Sequence, residues 1–168
     1  LTLGADSVAR GDIIDTDGLD TSGNRAAGGK TSFAVSDGAT WTGRHHGLVE
    51  LVAGNSATII NEGGDLIAKD VIGGENSKLS FLDKADIGGN FSVNKGNKTQ
   101  FYEGASIKGS VSMDGANVIF AGPTAIGSDL NLDNAATLSG GTIDAPIVVA
   151  GNARVSNGST LAGNVNAT

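Results

Sequence analysis

A repeat of about twenty residues in the second half of the chain restricts the fold more than any other feature. The repeating segments are FLDKADIGGNFSV, FYEGASIKGSVSM, FAGPTAIGSDLNL, SGGTIDAPIVV and VSNGSTLAGNV. Aligned on a central aliphatic residue, they place Ile87, Ile107, Ile126, Ile143 and Leu161 in one column, at intervals of 20, 19, 17 and 18. Four residues after each anchor comes a second apolar column, Phe91, Val111, Leu130, Ile147 and Val165. Two further on, Val93, Met113, Leu132 and Val149 continue it, and this alternation is the pattern of a half-buried strand. Six residues before the anchor stand Phe81, Phe101, Phe120 and Val155, preceded at a further two by Leu79 and Val118, so another strand lies upstream. The fourth repeat slips, because Leu138 stands one residue closer to its anchor.

Between these strands the chain carries small or kinking residues. One corner column reads Gly89, Gly109, Ser128, Pro146 and Gly163, and another reads Gly96, Gly115, Asn134 and Asn152, where Gly and Asn tolerate positive φ. Pro occurs only at Pro123 and Pro146, both at proposed corners, as its exclusion from internal strands requires. Three short strands and three corners in 17 to 20 residues make one coil of a right-handed, single-stranded parallel β-helix, an all-β solenoid. With coils about 4.8 Å apart, roughly eight or nine of them would form a rod roughly 40 Å long. An antiparallel sandwich is the rival, but alternating hairpins do not produce an anchor column at near-constant spacing. The earlier chain fits more loosely. Residues 1–40 read as irregular or frayed entry coils, with a loop or insertion from Asp12 to Lys30, and residues 41–168 as the β-helix proper.

Composition supports this reading. Aromatics are 4% and charged residues 17%, while Gly reaches 27 residues, so the core must come from Ile, Val, Leu and Ala on a much-turned backbone. Net charge is −7 with no basic run, which disfavours nucleic acid as a partner. The chain has no Cys, which suits export through an oxidising compartment, and no apolar run long enough to span a bilayer. It opens at Leu1 without Met or a leader and reads as a segment of a longer protein.

Chemical motifs are weak. AAGGKTS, Ala26 to Ser32, ends like a phosphate loop, but the position five residues before Gly29 is Asn24 and a strand pattern follows. Asp12, Asp15, Asp17 and Asp20 invite a calcium loop, yet one begun at Asp15 would have Leu19 and Ala26 at ligand positions. His45 and His46 point to opposite faces of a strand and find no second ligand pair, so a surface or corner role is expected. No metal, cofactor or small-molecule substrate is expected. A polysaccharide-cleaving β-helix would need charged columns, and the column after the anchor reads Gly88, Lys108, Gly127, Asp144, Ala162. Trp41 and Tyr102, the only ones of their kind, are expected to pack.

The coils GASIKGSVSMDGA, TAIGSDLNLDNAATLSGGTI and GSTLAGNVNAT resemble the Gly-Asn-Ser-Thr coils of bacterial autotransporter passenger domains, exported by type V secretion. The resemblance covers roughly residues 40 to 168, and the entry TWTGRHHGLVELVAGN is similar to the C-terminal autochaperone region of such passengers. It implies a non-catalytic folding nucleus displayed at the outer membrane, whose partners are its own membrane β-barrel and the remaining passenger coils. Within the family the segment resembles part of a passenger that recruits host actin-assembly machinery, which implies a virulence factor as parent. The columns Phe81, Phe101, Phe120 and Ile87, Ile107, Ile126, Ile143, Leu161, with Val111 and Leu130, would then carry the folding function. The alternative is an adhesin or self-association module that binds host protein or glycan.

Overall fold

The apolar and polar residues that alternate in each short segment do fold as strands, and every pairing between them is parallel. The computed structural model describes residues 1–18, 30–141 and 144–168. Among these, the strands form a solenoid of three faces. Eight strands make one sheet, running from Val8–Arg10 through Thr40–Gly43, Thr58–Asn61, Lys78–Phe81, Lys98–Phe101, Asn117–Phe120 and Thr137–Gly140 to Thr160–Ala162. The other two faces belong to a second sheet of fourteen strands, because in two coils a long strand runs around the corner between them. These are His45–Ala53 and Leu66–Gly73. In later coils the corner splits the strand in two, as in Ala85–Ile87 and Phe91–Val93.

The eight-stranded sheet gives the coil count, about seven turns rather than eight or nine. Its first register column is Val8, Thr40, Thr58, Lys78, Lys98, Asn117, Thr137 and Thr160. The steps are 32, 18, 20, 20, 19, 20 and 23 residues, so two coils exceed the expected range. The longest holds the stretch from Asp12 to Lys30. Residues 19–29 of that stretch, including Asp20 and most of AAGGKTS, lie outside the described residues. The parallel ladder also extends through the first forty residues. Thr2–Leu3 pairs with Ser32–Val35, Val8–Arg10 with Thr40–Gly43, and Ile13–Ile14 with His45 and His46.

One corner is made by the same backbone conformation in successive coils. The residue just before a small corner side chain takes positive φ: Gly38 (72°), Ser56 (55°), Asn76 (56°), Gly96 (73°), Gly115 (60°), Ala135 (60°) and Gly158 (76°). The next residue is Ala39, Ala57, Ser77, Asn97, Ala116, Ala136 or Ser159, and all but Ser159 are buried. Gly96, Gly115 and Asn134 were placed at this turn from sequence, but the turn of the next coil lies at Asn157 and Gly158, not Asn152. Pro123 and Pro146 stack at a different corner, where the Thr124 N–H donates to the Pro146 carbonyl at 3.2 Å.

Candidate functional site

The interior of the solenoid is the feature from which any folding function must be argued. Phe81, Phe101 and Phe120 stand in register on three successive strands and are fully buried. Their ring centroids are 4.8 Å and 4.7 Å apart, with the second pair stacked at 16°. Phe91, arriving from the opposite side of the coil, meets Phe101 edge-on at 5.3 Å and 74°. Phe101 therefore touches three phenyl rings, and offset or edge contacts of this kind add about 0.5–1.5 kcal/mol each beyond burial. Above and below, the column changes to Gly43 and Asn61 on one side and Gly140 on the other, and Val155 is not part of it. Val155 pairs with Leu132 instead and is exposed.

The aliphatic columns are partly as expected. Ile87, Ile107 and Ile126 are in register and buried, but the next member is Val149. Ile143 lies outside the described residues. Val111 and Leu130 follow Phe91 in register, and Ala153 comes next; Ile147 and Val165 belong to the column of Ala85, Ala105 and Thr124. Leu161 is not an anchor at all. It continues Leu79, Thr99, Val118 and Leu138, and is only half-buried in the last coil. These displacements have one physical origin. Three residues, 121–123, link one face to the next in the coil of Phe120, whereas six, 141–146, do so in the following coil. The extra three shift every later column, so Gly151 rather than Pro146 stacks on Ser128 at the first corner, its N–H donating to the Ser128 carbonyl.

Polar groups inside the coil were not anticipated. Asn97, Ser77 and Thr99 are buried, and they satisfy one another: Asn97 Nδ2 donates to Ser77 Oγ at 2.7 Å, Ser77 Oγ to the Gly74 carbonyl at 2.6 Å, and Thr99 Oγ1 to Asn97 Oδ1 at 2.7 Å. The second polar node lies in the entry coils. Of the surface or corner role expected of them, exposure does not hold: His45 is fully buried and His46 is 6% exposed. The two do point to opposite sides, as alternation requires. His45 faces the interior, its ring stacked on Phe33 at 5.7 Å and 25°, while His46 lies beside the outward-facing Ile14 and accepts from Arg44 Nη2 at 3.2 Å.

Asn61, which replaces Phe in the aromatic column, holds His45 in place. Its Oδ1 accepts both the His45 backbone N–H at 2.9 Å and ring Nδ1 at 3.1 Å, and its Nδ2 donates to the Gly64 carbonyl at 2.9 Å. Since Asn61 Oδ1 only accepts, the His45 proton sits on Nδ1 and Nε2 carries a lone pair. That Nε2 is buried without a hydrogen-bond partner. Burial pushes the imidazole pKa down to about 4, against the weaker opposing pull of the Asn61 hydrogen bond and the Asp12 charge. Trp41 completes the node, its indole N–H donating to the Gly11 carbonyl at 2.9 Å and its ring meeting Phe33 edge-on at 4.9 Å. Gly43 lies between them: a Cβ there would stand 2.0 Å from the Gly11 carbonyl oxygen, and φ is 155°, so only Gly fits.

The acidic residues near the entry act as backbone caps. Asp15 accepts the N–H groups of Thr31 (2.8 Å), Lys30 (3.0 Å) and Asp17 (3.0 Å), and Asp12 accepts that of Arg44 (3.0 Å). The Thr31 hydroxyl and these amides hold the Asp15 carboxyl below its ordinary value. Corner carboxylates and amides elsewhere do the same between coils, in the series Asp70 to Asn90 to Ser110 and Asp37 to Asn55 to Glu75. Among the described residues no group of three or more His, Cys, Asp or Glu is placed to hold a metal ion. Tyr102 differs from expectation in being 45% exposed, next to Leu82 of the preceding coil.

No protein-family model, no curated protein and no solved structure matches this chain.

Proposed function

We propose that this chain is a non-catalytic structural segment of a bacterial autotransporter passenger, and that its middle coils act as the folding nucleus that drives display on the cell surface. The observation that carries the reading is the Phe81–Phe101–Phe120 stack closed by Phe91, a cluster of four phenyl rings in the middle coils. In a one-dimensional fold each coil is stabilised by its neighbours, so a strong block forms first and later coils add without repeating the initiation cost. Coils folded outside the outer membrane cannot slide back, which makes export directional. The partners on this reading are the protein's own membrane β-barrel and its remaining coils, and the parent is a virulence factor.

The test is surface display of the full-length parent carrying Phe101→Ala or Ile107→Ala, with the stability of each variant measured on this segment. Reduced display in proportion to lost stability supports the reading. Wild-type display from a demonstrably destabilised variant defeats it.

A second reading, an adhesive or self-associating module, draws on a different observation: Leu82, Tyr102 and Ile119 are exposed on adjoining coils beside an otherwise polar face. Binding of the purified segment to host cells or to itself, abolished by Tyr102→Ser, would support it over a purely structural role.

A further inference from the structure

The interior His45 is built to tolerate only one protonation state. Its Nδ1–H and its backbone N–H share Asn61 Oδ1, and its Nε2 is buried without a hydrogen-bond partner. Its ring lies on Phe33, with Ile13 in register on the preceding coil. A proton added at Nε2 would create a buried cation whose N–H has no acceptor, one of the most costly arrangements a core can contain. We propose that His45 makes the described entry coils, residues 1–18 and 30–61, an acid-released cap on a rod whose aromatic middle coils stay folded.

Two features localise the effect in the segment taken by itself. There the entry coils form one end of the ladder, and an end block of a solenoid can open without unfolding its neighbours. The middle coils owe their interior to Phe, Ile, Val and Leu, together with the neutral Ser77, Asn97 and Thr99, none of which titrates over the range concerned. The charged groups around His45 are Arg44, His46 and Glu50 on its own strand, Asp12 and Asp15 flanking Ile13–Ile14, Glu62 and Asp65 after Asn61, and Lys69 and Asp70 on the strand below. Of these, Asp12 pulls on the His45 charge, and its pull is smaller than the cost of burial.

Trp41, the sole tryptophan, contacts Phe33 and so reports on this node alone. The whole segment is titrated from pH 7.5 to 4, with Trp41 emission following the entry coils and far-ultraviolet circular dichroism following the rod. The expected result is that the opening equilibrium reported by Trp41 rises about 150-fold across this range, the factor set by a pKa displaced from 6.5 to about 4 and half-titrated in the folded state at pH 4, while most of the β signal persists. His45→Gln should abolish the pH dependence of the Trp41 signal, whereas His46→Gln should leave it in place. An unchanged pH dependence in His45→Gln would overturn the proposal. If His45→Gln does not fold, the His45 Cε1 proton is titrated by NMR in the His46→Gln background. A midpoint near 6.5 with the entry coils intact overturns the proposal, and silence of the imidazole until the coils open supports it.

Discussion

The aromatic block around Phe101 and the polar block that Asn61 builds with His45 share one register column, with Asn61 and Phe101 two coils apart, and fill the interior in opposite ways. One register column runs Gly43, Asn61, Phe81, Phe101, Phe120, Gly140. In the middle of it, three phenyl rings stack without a polar atom to satisfy. Toward the entry, a single Asn takes the same place in the column and spends both ends of its amide on the backbone and on His45. The phenyl column is insensitive to pH because burial of apolar surface involves no ionisation. The polar node is satisfied only while His45 is neutral, so its stability is conditional. A solenoid can therefore place a permanent segment and a conditional one side by side without changing its backbone.

The sharpest way to break this contrast is to hollow out the permanent block. Phe101→Ala removes a ring in contact with three others and should cost about 3–5 kcal/mol, with Ile107→Ala at about 2–5 kcal/mol. The check is the guanidinium midpoint followed by circular dichroism, and both variants should lower it at every pH. A loss confined to low pH would erase the distinction between the two blocks.

Acidification should act on the other block by a similar amount. The folded-state pKa of His45 lies below the unfolded value, so the unfolded chain binds the extra proton and stability falls as pH drops from about 6.5 to about 4, levelling off below. The full loss is about 3 kcal/mol and should appear in the midpoint read by Trp41, not in that of the Phe101 block. A fall of equal size in both would mean that the coils unfold as one unit and that the cap does not exist.

Asn97→Ala probes the buried polar chain within the otherwise permanent region. It leaves Ser77 and Thr99 each short of a partner and should cost about 1–3 kcal/mol, independent of pH because no member of the chain ionises in the relevant range. Denaturation at pH 7 and pH 5 checks this, and it separates polarity from titration as the cause of conditional stability.

Period and alternation made the repeat legible because Ile87, Ile107 and Ile126, and the three Phe residues above them, recur with 19 or 20 residues between neighbours. Where the spacing holds, side chains in register are also neighbours in space. Legibility ended where corner length changed. Residues 141–146 add three positions between faces, so a count of residues assigned Leu161 to the Ile column, when the ladder places it after Leu138. The polar node was hidden for another reason. Alternation says that one of two adjacent histidines faces inward, but not that Asn61 would take the phenyl position and supply the acceptor that makes burial tolerable. A polar residue interrupting an apolar column, with a His a coil earlier, is the signal that would have revealed it.

The smallest expected effect tests whether the entry coils owe their weakness to His45 or to their long connection. Asp15 gathers the amides of Lys30, Thr31 and Asp17 across that connection, and its depressed pKa means that its contribution is present at neutral pH and fades only as pH falls below the ordinary carboxylate value. The side chain is close to solvent, where such bonds are screened and contribute little. Asp15→Asn should therefore speed hydrogen exchange at the Lys30 and Thr31 amides several-fold and leave the Trp41 midpoint almost where it was. A large drop in that midpoint at pH 7 would transfer the conditional behaviour from the buried imidazole to the Asp15 cap, and the comparison between aromatic and polar interiors would no longer explain which end of the segment opens first.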